Sequence, residues 1–167
     1  FGYKNIPTTI PKGSNADLEI GGISVEERIK NTAMDSLLSS GYSQIMTYSF
    51  ESPKVFDKLK FLNVAAARRT IEISNPLGED YSIMRTLPIN GMLTSIATNY
   101  NRNNAIAKLF EYAKVYIPTE DKDALPVELE KLTMAFYGDG DFYTLKGDIE
   151  NVFESLRMTK RVTYKAT

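Results

Sequence analysis

The sequence predicts an α+β domain. Short runs rich in branched and aromatic residues, such as TIEIS at Thr70–Ser74 and LFEYAKVY at Leu109–Tyr116, read as strands. On either side of them lie stretches with apolar residues at helical spacing, such as Ser24–Ser40 and Leu145–Leu156. At 167 residues, with 43% hydrophobic and 25% charged content, the chain is long enough to bury one substantial core.

Phe1 to Gly22 contains Pro7, Pro11, Gly13, Gly21 and Gly22 with little periodicity, and reads as a linker or extended arm. Ser24 and Glu27 have the spacing of a capping box. The helix they open should run to Ser40 and stop at Gly41, a residue suited to the left-handed C-terminal position. Val25, Ile29, Ala33, Ser36 and Leu37 line one side of it. Met34 and Leu38 stand roughly 180 to 220° round from Val25 at about 100° per residue, so one apolar contact is expected with the sheet and another with a partner. Gln44–Phe50 reads as a strand, Ser52 and Pro53 restart a short helix through Leu59, and Leu62–Arg69 has no clear pattern.

The run Ile73–Asn104, ISNPLGEDYSIMRTLPINGMLTSIATNYNRNN, couples a strand exit to a helix. Asn75 and Pro76 end the extended segment, and Pro88 is placed as the first helical residue, where its missing N–H costs nothing. Ile89, Leu93, Ile96, Ala97 and Tyr100 form the expected buried stripe. The opposite face, Asn90, Thr94, Ser95, Thr98 and Asn101, is neutral where a solvated helix normally shows Glu and Lys, so a cover over that side is expected. Lys108–Ile117 follows as a strand apolar enough to be covered on both faces. Pro118–Pro126 is an acidic loop, Lys131–Tyr137 a strand, Gly138–Asp141 a hairpin-like turn, Leu145–Leu156 a helix and Arg161–Tyr164 a final strand.

Composition narrows the function. No apolar run approaches the roughly 20 residues that span a bilayer, and the first residues lack a signal-peptide layout, so the cytoplasm is the default expectation. Without Cys, disulfides and thiolate metal sites are excluded; without His, the commonest general base is missing. A net charge of -1 supplies no global pull toward nucleic-acid phosphates.

Three segments in order, Ile73–Asn104, Leu109–Tyr116 and DFYTLKGDIENVF at Asp141–Phe153, resemble the catalytic-core-like region of the β subunit of bacterial phenylalanyl-tRNA synthetase. GYKNIP at Gly2–Pro7 is similar to the end of the domain that precedes that region, so the resemblance spans nearly the whole chain. It implies a class II aminoacyl-tRNA synthetase core, a mainly antiparallel sheet flanked by helices, with residues 1–22 closing a preceding domain and 23–167 forming a core truncated at its carboxyl end. It implies a partner, the catalytic α subunit, in an assembly of two α and two β subunits that uses ATP and magnesium to join phenylalanine to its tRNA. It further implies that this copy has no catalytic, cofactor-binding or metal-binding residues. A working core would follow the strand ending at Tyr116 with an arginine for the ATP α-phosphate, and this chain has Ile117.

Met34, Leu38, Arg85, Asn90, Thr94 and Thr98 are therefore the candidates for a subunit interface. Arg85, in a family-like MRT context, is read as an anchor for a loop or subunit contact ahead of an anion site. Lys146, Asp148 and Glu150 sit in a helix read as a fold element, with Gly147 permitting close packing. GDGD at Gly138–Asp141 lacks the ligand alternation of a calcium loop and the following Lys of a phosphate cradle. Arg68, Arg69, Lys160, Arg161 and Lys165 are the only basic clusters. Two other readings compete, an independently active ATP-dependent ligase domain and a tRNA-binding module.

Overall fold

A computed structural model describes residues 2–10, 21–59, 66–121 and 124–165. Residues 11–20 of the arm, 62–65 of the stretch without clear pattern and two positions of the acidic loop lie outside the described residues. The frame is a pair of long strands, β4 (Ala107–Ile117) and β5 (Val127–Tyr137), matched antiparallel from Ala107 opposite Tyr137 to Ile117 opposite Val127. On the other edge of β4 lies a short parallel strand, β1 (Ser43–Gln44). A second sheet pairs β2 (Phe50–Glu51) antiparallel to β3 (Ile83–Met84). The α+β class and the mainly antiparallel pairing are as expected.

Both faces of β4 are used. Phe110, with Leu132 and Met134 of β5, meets Ala33 and Leu37 of α1 (Val25–Ser39), Tyr42, and Val152 of α4 (Phe142–Ser155). Tyr42 donates its hydroxyl to Asp148 Oδ2 at 2.9 Å, and Lys108 Nζ reaches the same oxygen at 3.3 Å, tying the sheet to α4. On the opposite face Leu109, Glu111, Ala113 and Val115 are buried. There α3 (Ile89–Asn101) packs on β4 and β5, setting Tyr100 edge-on to Tyr137 at 5.8 Å.

Several boundaries form as read. The Ser24 hydroxyl accepts the Glu27 N–H at 3.1 Å, and α1 ends with Gly41 at φ 84°, Gly41 N–H on Leu38 O and Tyr42 N–H on Leu37 O, the Schellman arrangement. A short helix α2 (Val55–Leu59) follows Ser52, starting two residues after Pro53.

Other elements differ, each for a local reason. The strand expected over Gln44–Phe50 is two fragments in two sheets: Ile45 N–H still bonds to Phe110 O, but Thr47 N–H goes to the Glu111 carboxylate instead of a ladder carbonyl. Thr70–Ser74 is reduced to one bridge, Glu72 opposite Ile83, flanked by backbone bonds from Ile73 to Ser82 and from Met84 to Ile71. Pro88 caps α3 rather than beginning it. The buried side of α3 is rotated from the apolar stripe: Met92 is 1% exposed, while Leu93 is 46% and Tyr100 68% exposed. Gly91 explains the rotation, since a Cβ there would lie 2.4 Å from Thr47 Oγ1, and close approach of the backbone decides the orientation.

Near the carboxyl end, Gly138–Asp141 links β5 to α4 and is not a hairpin turn. Asp141 caps that helix, its carboxylate accepting Thr144 N–H at 2.9 Å while Thr144 Oγ1 receives the Asp141 N–H. The helix thus starts at Phe142, three residues before the expected start. Gly147 has open space where its Cβ would be, so it serves no close packing. The expected strand Arg161–Tyr164 is a 3-10 turn at Thr159–Arg161 followed by irregular chain, and β5 begins at Val127, four residues early.

The two glycines should therefore respond oppositely to Ala. Gly91→Ala is expected to cost about 1–3 kcal/mol by overpacking against Thr47, whereas Gly147→Ala should stabilise α4 by roughly 0.5–1 kcal/mol. Urea denaturation midpoints of both variants check this.

Candidate functional site

The most polar part of the interior lies where the 46–51 segment, the residues after β3 and the second half of β4 converge. Arg85, 4% exposed, donates through Nη1 to Glu111 Oε1 at 3.1 Å, Thr47 Oγ1 at 3.0 Å and Tyr48 O at 3.4 Å, and through Nε to Lys114 O at 2.8 Å. Its backbone carbonyl accepts Tyr116 N–H and its N–H donates to Ser49 O, both at 2.9 Å. Beyond the end of β1, Arg85 thus takes the place of a strand along the outer edge of β4. Glu111, 2% exposed, also accepts Thr47 N–H at 3.0 Å and the Thr47 hydroxyl at 2.9 Å.

A second buried carboxylate, Glu51 at 6% exposure, accepts Asn90 Nδ2 at 3.1 Å through Oε1. Burial pushes its carboxyl above the ordinary value; the Asn90 hydrogen bond and the Arg85 charge offset part of the rise, and the Glu111 charge adds to it. Glu51 forms one wall of a cleft of about 760 Å³ between β2, the turn at Asp80 and Tyr81, and α3.

The six interface candidates fall in three places. Asn90 and Thr94 line this cleft, and Thr98, one turn further along α3, is exposed with its hydroxyl on Thr94 O. On α1, Leu38 is 49% exposed, but Met34 packs against the chain's own core beside Ala33 and Leu37 rather than facing away from it. Arg85 is enclosed by its own chain, so its contacts are those of a loop anchor. Lys146 and Glu150 pair along α4, and Asp148 holds Tyr42 and Lys108. Tyr112 donates to Glu130 Oε2 at 2.6 Å, and its hydroxyl is pushed up to about 12, first by burial and then by that bond. Arg68 is engaged with Asp57 at 2.7 Å.

Sequence reasoning passed over Thr47, Glu51 and Glu111. A signal for Glu111 existed: a carboxylate inside a strand read as covered on both faces requires a buried cation, and Arg85 was available.

The cluster does not suit a nucleotide triphosphate. Arg85 is taken by Glu111, Ile117 ends β4, and the cleft presents Glu51 and Asp80 against Lys58 alone. Among the described residues no group of three or more His, Cys, Asp or Glu side chains is placed to hold a metal ion, and no helix is long and apolar enough to cross a membrane.

The architecture is that of a class II synthetase-like core: a pyrrolysyl tRNA synthetase from Desulfitobacterium hafniense superposes with a TM-score of 0.62 at 13% identity, covering 80% of this chain and 46% of that one. Residues 6–167 match the family described as phenylalanyl tRNA synthetase beta chain CLM domain, and the chain belongs to that family. Phenylalanine–tRNA ligase beta subunits of Clostridium tetani and Clostridium acetobutylicum are each 42% identical over 96% of the chain, and that of Geobacter metallireducens is 33% identical over 92%. The chain spans 20% of the length of these curated relatives.

Two measurements probe the buried charges. Arg85→Met should cost about 3–5 kcal/mol by stranding Glu111, and adding Glu111→Gln should recover part of that loss. Because the Glu51 carboxyl is raised on folding, the stability linked to its protonation is fully present below the ordinary carboxylate pKa and lost as pH rises through the raised value. Glu51→Gln is thus expected to raise the thermal midpoint at about pH 8 and leave it nearly unchanged at about pH 4.

Proposed function

We propose that this chain is a non-catalytic synthetase-like module of a phenylalanine–tRNA ligase β subunit, supporting the catalytic α subunit while that subunit attaches phenylalanine to its tRNA. ATP and magnesium are used by the α subunit, in a cytoplasmic assembly of two α and two β subunits. One observation carries this reading: the strand that would be followed by a nucleotide-gripping guanidinium ends instead in Ile117, and Arg85, whose backbone bonds to the neighbouring Tyr116, spends its guanidinium inside the chain on Glu111. An aliphatic side chain cannot neutralise charge building on a phosphate. What the chain offers instead is a fixed shape, in which exposed positions such as Leu38 and Thr98 on α1 and α3 supply area that a neighbour buries and orients against.

The charge balance of -1 favours this reading over a tRNA-binding module. The chain by itself should show no phenylalanine-dependent exchange of pyrophosphate into ATP; exchange that survives purification away from α overturns the proposal. Leu38→Asp should weaken binding to the α subunit by about tenfold or more in sedimentation or calorimetric titration. Unchanged affinity removes α1 from the interface.

A further inference from the structure

The buried charges around Arg85 do not balance. Two carboxylates, Glu51 and Glu111, are buried against one guanidinium, and among the described residues that guanidinium hydrogen-bonds to Glu111, Thr47 and two backbone carbonyls, reaching Glu51 only through its charge. Glu51 has a single hydrogen bond, to Asn90 through Oε1; among the described residues Oε2 accepts none, yet it is not sealed off as a buried unpaired atom. It opens onto the cleft. A carboxylate so deeply buried is costly to keep charged unless a cation meets it.

The walls fit such a cation. Tyr48 and Tyr81 meet edge to face at 5.9 Å, and Phe50 stands beside Glu51 on the same cleft. Asp80 adds a second negative charge at the rim, so the lining carries two carboxylates against the single ammonium of Lys58, while Asn90 orients Glu51. Aromatic rings sharing a cleft with a carboxylate suit an organic cation, which the ring quadrupoles attract and the carboxylate anchors. At about 760 Å³ and open to solvent, the cleft admits a small organic cation without rearrangement.

We propose that this cleft is a receptor for an organic cation, a guanidinium or primary ammonium group, with Glu51 as its anchor and Tyr48 and Tyr81 as its walls. The group is carried either by a free small amine or by a basic side chain of a neighbouring subunit. The test titrates L-argininamide, with neutral acetamide as control, into the full-length chain purified by itself, reading affinity by calorimetry and location by amide chemical shifts. Saturable binding that shifts Glu51, Asn90 and Tyr81, weakened about tenfold or more by Glu51→Gln and about two- to fivefold by Tyr48→Ala, is the expected result. Tyr48 is 74% exposed, so its variant keeps the test valid if the first fails to fold. Binding absent, shared equally by acetamide, or indifferent to both substitutions overturns the proposal. Repeating the titration on the chain purified with its assembly partners separates the sources: retained binding assigns a free amine, and lost binding assigns a partner's side chain. The arm with the chain alone reads the cleft whether or not a ligase assembles.

Discussion

The Arg85–Glu111 pair holds together the parts of this fold that have no regular structure of their own. On the first half of β4 the outer edge is closed by β1, but β1 is two residues long and the chain then turns away. From Glu111 to Tyr116 the edge is completed by one side chain and one peptide unit of Arg85. A planar guanidinium has enough donors in a fixed fork to satisfy a carboxylate, a hydroxyl and two carbonyls at once, which an ammonium on a flexible stem does less well. The pair adds little net stability compared with an apolar replacement, but it leaves only one arrangement of the 46–51 segment in which every buried polar atom is matched. Gly91 extends the same constraint to α3, because Thr47, already bonded to Arg85 and Glu111, is the group the helix backbone presses against.

The frame divides in the same way between the two faces of its sheet. The long β4–β5 pair and the α1–α4 layer close on hydrophobic packing around Phe110, tied together by Tyr42 and Lys108 on Asp148. The opposite face of the sheet is filled from within by an ion pair and its hydroxyl partner. An arginine in such a network is a structural part, and its presence near the strand end says nothing for anion binding until its contacts are known.

Much of the frame was legible in the sequence. The ends of α1 were readable because Ser24 and Gly41 act through local backbone geometry. The strand β4 was readable because its apolar density has one sensible explanation. What failed were elements whose fate is decided at a distance: Gln44–Phe50 has the composition of a single strand, but a carboxylate 64 residues away captures Thr47 and splits it. The rotation of α3 was hidden likewise, since the apolar count favours Leu93 and Tyr100 while the close contact at Gly91 overrides it. At the site, Asn90 and Thr94, singled out as interface candidates by the missing charges on their helix face, line the cleft. Glu51 stayed invisible, because nothing near it in sequence announces its burial.

The bond between Tyr42 and Asp148 spans 106 residues, and the helix that α1 packs against is α4. The entropic cost of closing so large a loop is met before the burial that rewards it. During synthesis, Ala33 and Leu37 leave the ribosome long before Val152 exists to cover them, an interval on the order of 10 s at ordinary elongation speeds. Until then the cover of the first helix is partial, supplied by Phe110, Leu132 and Met134 as the β4–β5 pair emerges.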